Sequence, residues 1–479
     1  MALVSYLRRL QDLADADPGH PAVTCGAESL SRAGLLHAID QLALDLRARG
    51  LREGDMLTIA LPNSASWFVA FGAAWRLGAT PQPVSARLPR RELEAVIELA
   101  DPPVILGLPE NSVPGRVCLP AGYRPPPQAG ELPEVISRAW KAPTSGGSTG
   151  RPKLIVSASP AQLDTDTPVP LGLGAGGCLV MPGPLYHNGP LIWAWMALLY
   201  GHHVVVLPRF DAEATLAAIA QHRATVIYLV PTMMKRIWRL PARDSYDLSS
   251  LRLVWHLAEP CPAWLKQAWI DWLGPDRIYE LYGVTEAQTS TIITGREWLA
   301  HRGSVGRPEP GMLRILGPDG EQAAPGQMGE IWLRHDPTAP TYRYVGAEAR
   351  KRNGWESVGD TGYLDADGYL YLGDRASDMI LVGGANVYPA EVEAAALEHP
   401  AVESCAVIGL PDDDKGSAVH AIIQADPAVL PEAELRPFLA DRLASYKLPV
   451  TIEYIDQPLR DEAGKVRRSA LRAARLPGL

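Results

Sequence analysis

The chain has 479 residues, of which 47% are hydrophobic and 21% charged, and its formal net charge is −9. This length exceeds one ordinary hydrophobic core and predicts a large domain plus a smaller one, while the composition excludes intrinsic disorder. The acidic balance offers no basic field for nucleic acid or anionic lipid, so an anionic substrate requires a local positive site.

The N-terminal residues and the cysteines bear on where the protein works. Residues 1–20 predict a short helix, interrupted by Asp and ended by Pro-Gly, without the apolar core and cleavage site of a signal peptide. No stretch approaches the roughly 18 apolar residues of a membrane span. The five cysteines are scattered without a C-x-x-C pair, which indicates free thiols and no metal framework. We therefore expect a cytoplasmic protein without integral membrane association.

Helix and strand patterns alternate along the first part of the chain. Residues 33–49 carry apolar side chains at helical spacing, and Gly50 ends that helix. Short apolar runs predict buried strands at 56–61, 103–106, 203–207, 226–230 and 251–257. The Pro-rich residues 119–133 predict a surface loop. Repeated β–α alternation with continuous apolar strands implies parallel sheets covered by helices.

The pattern changes after about residue 330 to short strands and tight turns, with a hairpin predicted around residues 365–368. A compact α+β segment follows. Its predicted elements are helices near 390–398 and 431–444 and strands at 404–409 and 419–424. We place a domain boundary close to residues 373–377, which divides the chain into a large N-terminal domain, 1–374, and a small C-terminal domain, 375–479.

The clearest motif is the segment 144–153, Thr-Ser-Gly-Gly-Ser-Thr-Gly-Arg-Pro-Lys. Its glycines let the backbone curl and present N–H groups to oxyanions, its hydroxyls can donate to phosphate, and its lysine adds a positive charge. A flexible Ser/Gly linker is the alternative on composition, but the Pro-Lys ending and the strand-like residues that follow favour a phosphate site. The candidate phosphate-binding residues are Thr144, Ser145, Gly146, Gly147, Ser148, Thr149, Gly150 and Lys153.

Five segments in this order resemble the motifs of the adenylate-forming superfamily, which includes acyl-CoA synthetases, luciferases and peptide-synthetase adenylation domains. They are residues 144–153, 281–286 (Leu-Tyr-Gly-Val-Thr-Glu), 357–363 (Ser-Val-Gly-Asp-Thr-Gly-Tyr), 373–391 and 459–468. Taken alone, the later four are typical of turns, helix caps or solvated charge; their common order makes the resemblance specific. Two positions depart from the family pattern: Leu154 replaces a glycine, and Ser377 stands at the hinge position, which is commonly Asp or Lys.

The resemblance implies roles for residues of the large domain. Tyr282 would stack near adenine beside Gly283, Thr285 would contact phosphate, and Glu286 would help to hold Mg²⁺. Mg²⁺ prefers few protein carboxylates combined with phosphate oxygens and water, so one well-placed glutamate suits it. Asp360 would bind both ribose hydroxyls, a charge-assisted pairing that is stronger than a neutral one.

For the small domain, the resemblance implies a catalytic lysine and a hinge. Arg375 would contact ribose and phosphate, and Lys465 would be the lysine of the adenylation step. A domain rotation at Ser377 would then withdraw Lys465 and bring the Gly383-Gly384 turn to the site for thioester formation.

Two further segments resemble parts of the acyl site. Residues 185–190 match the segment that lines the carboxylate site, which makes His187 a candidate; a structural histidine at a strand end is an equal alternative. Residues 255–262 match one wall of the adenine and acyl sites and most resemble ligases for bulky cyclic carboxylates. Glu259 is unusual on that wall and would meet the adenine amine or a polar substrate group. The candidate binding residues there are Ala258, Glu259 and Pro260.

Taken together, the resemblance implies an enzyme that adenylates a carboxylic acid with ATP and Mg²⁺, releases pyrophosphate, and transfers the acyl group to coenzyme A. The expected substrate is a bulky cyclic, aromatic or polycyclic acid. The expected fold is α/β: a large domain with parallel-rich sheets and a small barrel-like β part, followed by a mobile α+β domain, in a monomer or homodimer. Three alternatives remain open: a ligase that loads a separate acyl carrier protein, a luciferase-like oxygenase, and a non-catalytic nucleotide or acyl sensor.

Overall fold

A computed structural model describes residues 3–146, 152–167, 169–335, 340–373, 378–382, 385–412, 416–461 and 464–476. As far as residue 119 the elements are β1 (Leu3–Ser5), α1 (Tyr6–Ala16), β2 (Pro21–Cys25), β3 (Glu28–Ser31), α2 (Arg32–Ala48), β4 (Met56–Ile59), α3 (Ala65–Arg76), β5 (Thr80–Pro83), α4 (Arg90–Ala100), β6 (Val104–Leu106) and β7 (Val117–Leu119). The next are β8 (Thr144–Gly146), β9 (Pro152–Ser157), β10 (Gln162–Asp164), β11 (Cys178–Met181), α5 (Asn188–Leu199), β12 (His203–Val206), α6 (Ala212–His222), β13 (Val226–Leu229), α7 (Pro231–Trp238), β14 (Leu253–Leu257), α8 (Ala263–Leu273), β15 (Ile278–Gly283), β16 (Ser290–Thr294) and α9 (Gly295–Ala300). The last are β17 (Leu313–Leu316), β18 (Gly329–Leu333), β19 (Tyr342–Val345), β20 (Arg350–Arg352), β21 (Trp355–Ser357), β22 (Thr361–Leu364), β23 (Leu370–Leu372), β24 (Ile380–Val382), β25 (Ala385–Val387), α10 (Pro389–Leu397), β26 (Ser404–Asp412), β27 (Gly416–Gln424), α11 (Glu432–Ala440), β28 (Thr451–Ile455) and α12 (Arg468–Ala473).

An eight-stranded sheet in the order β16-β15-β14-β13-β11-β12-β2-β3 forms the central layer. Its six inner strands are parallel, and β16 and β3 lie antiparallel at the two edges. A second sheet, β5-β4-β6-β7, is parallel throughout. Parallel strands covered by helices are buried on both faces and therefore consist of continuous apolar runs. The predicted parallel-rich α/β fold is confirmed.

The later part of the chain forms antiparallel β structure and then a small α+β unit. The strands β20-β21-β18-β22-β23 form one sheet, with β17 added on β18. The sheet β26-β27-β28 packs with α10 and α11 around a core of its own, which includes Val392, Cys405 and Leu435. This core shares no residue with the large hydrophobic cluster of the N-terminal part.

One predicted helix interruption and one predicted helix end are wrong, whereas the predicted end of the first helix before Pro18-Gly19 is confirmed. Helix α1 runs through Asp12 and Asp15 without interruption, because side chains one turn earlier bond to both carboxylates at 2.8 Å. Helix α11 ends at Ala440, and the Arg442 amide then bonds to the Leu439 carbonyl three residues back, the shorter spacing of a tightened last turn. All five cysteines are free thiols, as predicted. Within the described ranges, no helix has the length and apolarity needed to cross a bilayer.

Helices α2 and α3 approach closely at Gly72. A Cβ atom built there would lie 2.7 Å from Ile39 Cγ1 and closer still to Cδ1, and Ile39 is fully buried. Alanine has the better helix propensity by about 1 kcal/mol. In a close-packed interior the overlap outweighs that gain, because there is no free volume into which Ile39 can move.

We therefore expect Gly72→Ala to lower the free energy of unfolding by about 1–3 kcal/mol in denaturant titrations. The double variant with Ile39→Val removes Cδ1 and should recover part of this loss. Unchanged or increased stability of Gly72→Ala would contradict the packing argument.

Candidate active site

A cleft of about 2860 Å³ opens at the carboxyl ends of strands β11, β13, β14 and β15. Parallel strands end at the same edge of a sheet, so the loops that follow them converge. His187 follows β11, Thr232 follows β13, Glu259 follows β14 and Tyr282 lies at the end of β15; all four line the cleft. Lys465, from the C-terminal unit, lines it as well.

The predicted phosphate segment begins and ends in a sheet. β8 and β9 pair antiparallel, with Thr144 opposite Leu154, and Gln82 Nε2 donates to Thr144 Oγ1 at 3.0 Å. Leu154, the departure from the family pattern, also pairs with Val345 and is fully buried, so it belongs to the core. The sheet pairing at both ends argues against a flexible linker. The candidates Gly147, Ser148, Thr149 and Gly150 lie outside the described residues, as does the side chain of Ser145.

Lys153 and Glu286 form an ion pair at one end of the cleft. Lys153 Nζ lies 3.6 Å from Glu286 Oε1 and 3.8 Å from the centre of the Tyr344 ring. The Tyr344 hydroxyl donates to the same carboxylate oxygen. Burial, and then the Glu286 charge, raise the pKa of Tyr344, so its hydroxyl remains a donor. A buried carboxylate beside a cation and a hydroxyl fits a site for phosphate-bound Mg²⁺.

The predicted nucleoside residues Tyr282 and Asp360 lie together. The Tyr282 hydroxyl donates to Asp360 Oδ2 at 2.9 Å, and both residues line the cleft with Gly283 and Thr285. The two residues are 78 positions apart in the sequence, and the fold joins them. Arg375, Gly383, Gly384 and the predicted hinge residue Ser377 are outside the described residues.

His187 is the N-cap of helix α5 and lies in the cleft wall. Its Nε2 atom is buried and has no hydrogen-bond partner among the described residues. Burial first, and then the charges of Lys465 and Arg467, lower the pKa of His187 to about 3, so the imidazole is neutral. An unpaired buried nitrogen in the cleft wall suits a polar ligand group better than a purely structural histidine.

The wall beyond His187 is aromatic. Trp193 of α5 meets Tyr228 of β13 edge-on, with ring centres 5.4 Å apart, and meets Trp255 of β14 at 5.6 Å. All three side chains are almost fully buried, and Trp193 and Tyr228 line the cleft. Aromatic rings prefer such edge-to-face contacts, so this wall offers flat surfaces to an aromatic ligand. No local motif distinguishes Trp193 from an ordinary core residue.

Glu259 is a buried carboxyl group between the cleft and the C-terminal unit. Ala258 before it adopts φ +74°, which turns the chain sharply after β14. Thr232 donates to Glu259 Oε2 at 2.8 Å, and Oε1 is buried against Gly464 without a hydrogen bond from any described residue. Burial raises the pKa of Glu259 to about 7. Pro260 lines the cleft beside it.

A tight turn presents Lys465. The Lys465 amide donates to Asp461 Oδ1 at 2.9 Å, and the Asp461 amide donates back to the Lys465 carbonyl at 3.0 Å. Gly464 has φ +77°, and a Cβ atom there would collide with Glu259 Oε1, so only glycine fits at this position. Arg460 donates to the Gly464 carbonyl at 2.9 Å.

Glu393 of helix α10 holds both ends of this turn. Its buried carboxylate accepts from Arg468 at 2.8 Å, from Arg460 at 3.3 Å and from the Val407 amide at 2.9 Å. Sequence reasoning missed Glu393 and Tyr344, because a single glutamate on a helix and a tyrosine on a strand carry no motif.

Comparisons with known proteins agree with this geometry. The profile described as AMP-binding enzyme matches residues 10–343, and the profile of the AMP-binding enzyme C-terminal domain matches residues 391–465. A feruloyl-CoA synthase from Amycolatopsis sp is 32% identical over 485 residues, which cover 95% of this chain and 96% of that protein. A 2-succinylbenzoate–CoA ligase from Bacillus licheniformis is 30% identical over a match that covers 98% of this chain and 100% of that protein.

A similar solved structure is the o-succinylbenzoate CoA synthetase of Bacillus subtilis in complex with the acyl-adenylate intermediate OSB-AMP. Its TM-score is 0.81 at 26% identity, with 100% of both chains covered. The same synthetase has been solved with ATP and a magnesium ion. The fold and cleft thus define an adenylate-forming enzyme, and the chain belongs to the AMP-binding enzyme family. The predicted superfamily and enzymatic character are confirmed.

The titration of Glu259 gives a pH-dependent prediction. Its pKa in the folded protein lies above that of an exposed glutamate, so its contribution to stability is complete at acidic pH and is lost as the pH rises through about 7. Glu259→Gln removes this titration. The wild type should lose stability as the pH rises and the variant should not. The free energy of unfolding of the variant minus that of the wild type should therefore grow by up to about 3 kcal/mol between about pH 5 and pH 8.5.

Thermal unfolding of both proteins across this range tests the effect. The exposed Glu321→Gln is the matched control and should show a constant difference from wild type. A constant difference for Glu259→Gln as well would mean that Glu259 has an ordinary pKa.

Proposed function

We propose that the enzyme joins an aromatic carboxylic acid to coenzyme A, using ATP, through an acyl-adenylate. The observation that carries this is a single cleft that combines the Lys153–Glu286 pair, the Tyr282–Asp360 pair, an aromatic wall and Lys465. The acids named for the curated relatives, ferulic and 2-succinylbenzoic, are both aromatic. The predicted ATP-dependent acyl-CoA ligase activity agrees with those relatives, and ATP with magnesium agrees with the solved synthetase.

In the first step, a carboxylate oxygen of the acid attacks the α-phosphorus of ATP. The new O–P bond forms while the bond to pyrophosphate breaks, and negative charge builds up on the phosphoryl oxygens. Such a reaction depends mainly on positioning and charge neutralisation. Lys465 supplies positive charge at the reacting carboxylate and α-phosphate, and Lys153 does so at the departing phosphates.

The remaining residues bind and orient. Tyr282 lies against adenine, and Asp360 accepts from the ribose hydroxyls. Glu286 would hold the Mg²⁺ ion that accompanies ATP, and that ion neutralises phosphate charge when bound. His187 stays uncharged and donates or accepts one hydrogen bond at the acyl group.

In the second step, the coenzyme A thiolate attacks the carbonyl carbon of the acyl-adenylate. The C–S bond forms, the C–O bond to AMP breaks, and AMP leaves. Lys465 lines the cleft where the acyl-adenylate would lie, and we infer that the small domain moves between the steps to admit the thiol. Two separate cores and two separate profile matches support a boundary between residues 343 and 391. We place the hinge near Ser377 within it.

The activity is tested by pyrophosphate release with ATP and Mg²⁺ across a panel of short-chain, aryl and polycyclic acids, with and without coenzyme A. We expect aromatic acids to give pyrophosphate, AMP and an acyl-CoA in equal amounts. Release without an acyl-CoA product would indicate a carrier protein as acceptor. ATP binding without release for any acid would favour a sensor.

Lys465→Ala tests the catalytic assignment. Adenylation should fall on the order of 100-fold or more, because a charge that stabilises the transition state is removed. Thioester formation from supplied acyl-adenylate should persist. Lys351→Ala, an exposed lysine on β20, is the control and should leave both half-reactions unchanged. Equal loss of both half-reactions in Lys465→Ala would exclude this role.

A further inference from the structure

Helix α7 connects the cleft to the C-terminal unit at two points. Near its start, the Thr232 hydroxyl donates to Glu259 Oε2. The other carboxylate oxygen of Glu259, Oε1, lies against Gly464 in the turn that carries Lys465. Near its end, Lys235 Nζ donates to the backbone carbonyls of Val402 at 3.1 Å and Glu403 at 2.8 Å. Both points of contact lie on one short, rigid element of the large domain.

The contact at the end of α7 is a buried one. Lys235 is only 6% exposed, and these two carbonyls are the only hydrogen-bond acceptors of its Nζ atom among the described residues. Burial lowers the pKa of Lys235 to about 7. Arg239, just after the helix, is more exposed and donates to the same Val402 carbonyl at 3.1 Å. A buried amino group needs hydrogen-bond partners whether or not it is protonated, so Lys235 is satisfied only while the C-terminal unit is docked.

The peptide that Lys235 binds is coupled to the Lys465 turn. Val402 and Glu403 directly precede β26, and the carbonyl of Cys405 on β26 accepts from Arg460 at 3.3 Å. Arg460 also bonds to Glu393 and to the Gly464 carbonyl. Fixing the start of β26 therefore fixes the strand to which the turn of Lys465 is anchored.

We propose that helix α7 is the docking site of the small domain during adenylation, and that Lys235 and Arg239 are positioning residues that place Lys465 in the cleft. The inference rests on the adenylation function proposed above. Neither residue touches the reacting atoms. They act through the small domain, and their bonds must break when that domain moves for thioester formation. Their loss should thus affect the first half-reaction alone.

The test compares full-length Lys235→Met and Arg239→Ala with wild type in two assays: acid-dependent pyrophosphate–ATP exchange, and thioester formation from supplied acyl-adenylate and coenzyme A. Lys235→Met should lower kcat of exchange about tenfold, because two hydrogen bonds from a buried amino group are lost. Arg239→Ala should lower it less. The KM values for ATP and acid should not change, since both bind to the large domain, and thioester formation should keep its rate.

Arg252→Ala is the matched control, because Arg252 is an exposed arginine of the large domain that does not line the cleft and whose side chain forms no hydrogen bond within the described residues; it should keep wild-type exchange. If Lys235→Met does not fold, Arg239→Ala decides. Equal loss of both half-reactions, or undiminished exchange in both variants, would overturn the proposal. Absence of exchange in wild type would instead refute the adenylation function itself, and full exchange in Lys465→Ala would refute the catalytic role of Lys465.

Discussion

The direction of the parallel strands β11, β13, β14 and β15 determines where the functional groups of the large domain lie. Each strand leaves the central sheet at the same edge, so the following loops must share one space. Polar residues are tolerated there because loops leave backbone and side-chain groups free to bind ligands. His187, Thr232, Glu259 and Tyr282 meet in one cleft for this reason, although no pair of them is close in the chain.

Buried charges make this site rigid. A charge removed from water is costly unless it is paired and hydrogen-bonded. Glu286 is surrounded by Lys153 and Tyr344, and Glu393 by two arginines. Behind the cleft wall, Lys266 Nζ bonds to Glu280 at 2.5 Å with both side chains buried. Each pair has few alternative arrangements at similar energy, so the groups are held in place before any substrate binds.

The two units of the chain meet through polar contacts, whereas each is stabilised inside by an apolar core. Lys235 bonds to backbone carbonyls, and Arg467 forms an ion pair with Glu92 of α4 at 2.8 Å in an exposed position. Polar interfaces of this kind exchange protein contacts for water at modest free-energy cost, unlike the separation of hydrophobic surfaces. The contrast suits a domain that docks for one reaction and moves for the next.

The sequence alone determined the features that depend on local pattern. Apolar runs and helical spacing predicted the strands β4, β12 and β13 and the helix α2, and the order of five short motifs predicted the adenylate-forming class with Lys465 and Glu286 among its residues. It wrongly interrupted α1 at its aspartates and placed the end of α11 too late, because side-chain bonds and the last backbone bonds of a helix are not visible in periodicity. Only the tertiary structure decided which distant residues pair: Tyr344 with Glu286, Thr232 with Glu259, Glu393 with Arg460 and Arg468. Such pairs depend on how strands and helices pack in space, and spacing along the chain carries no information about that.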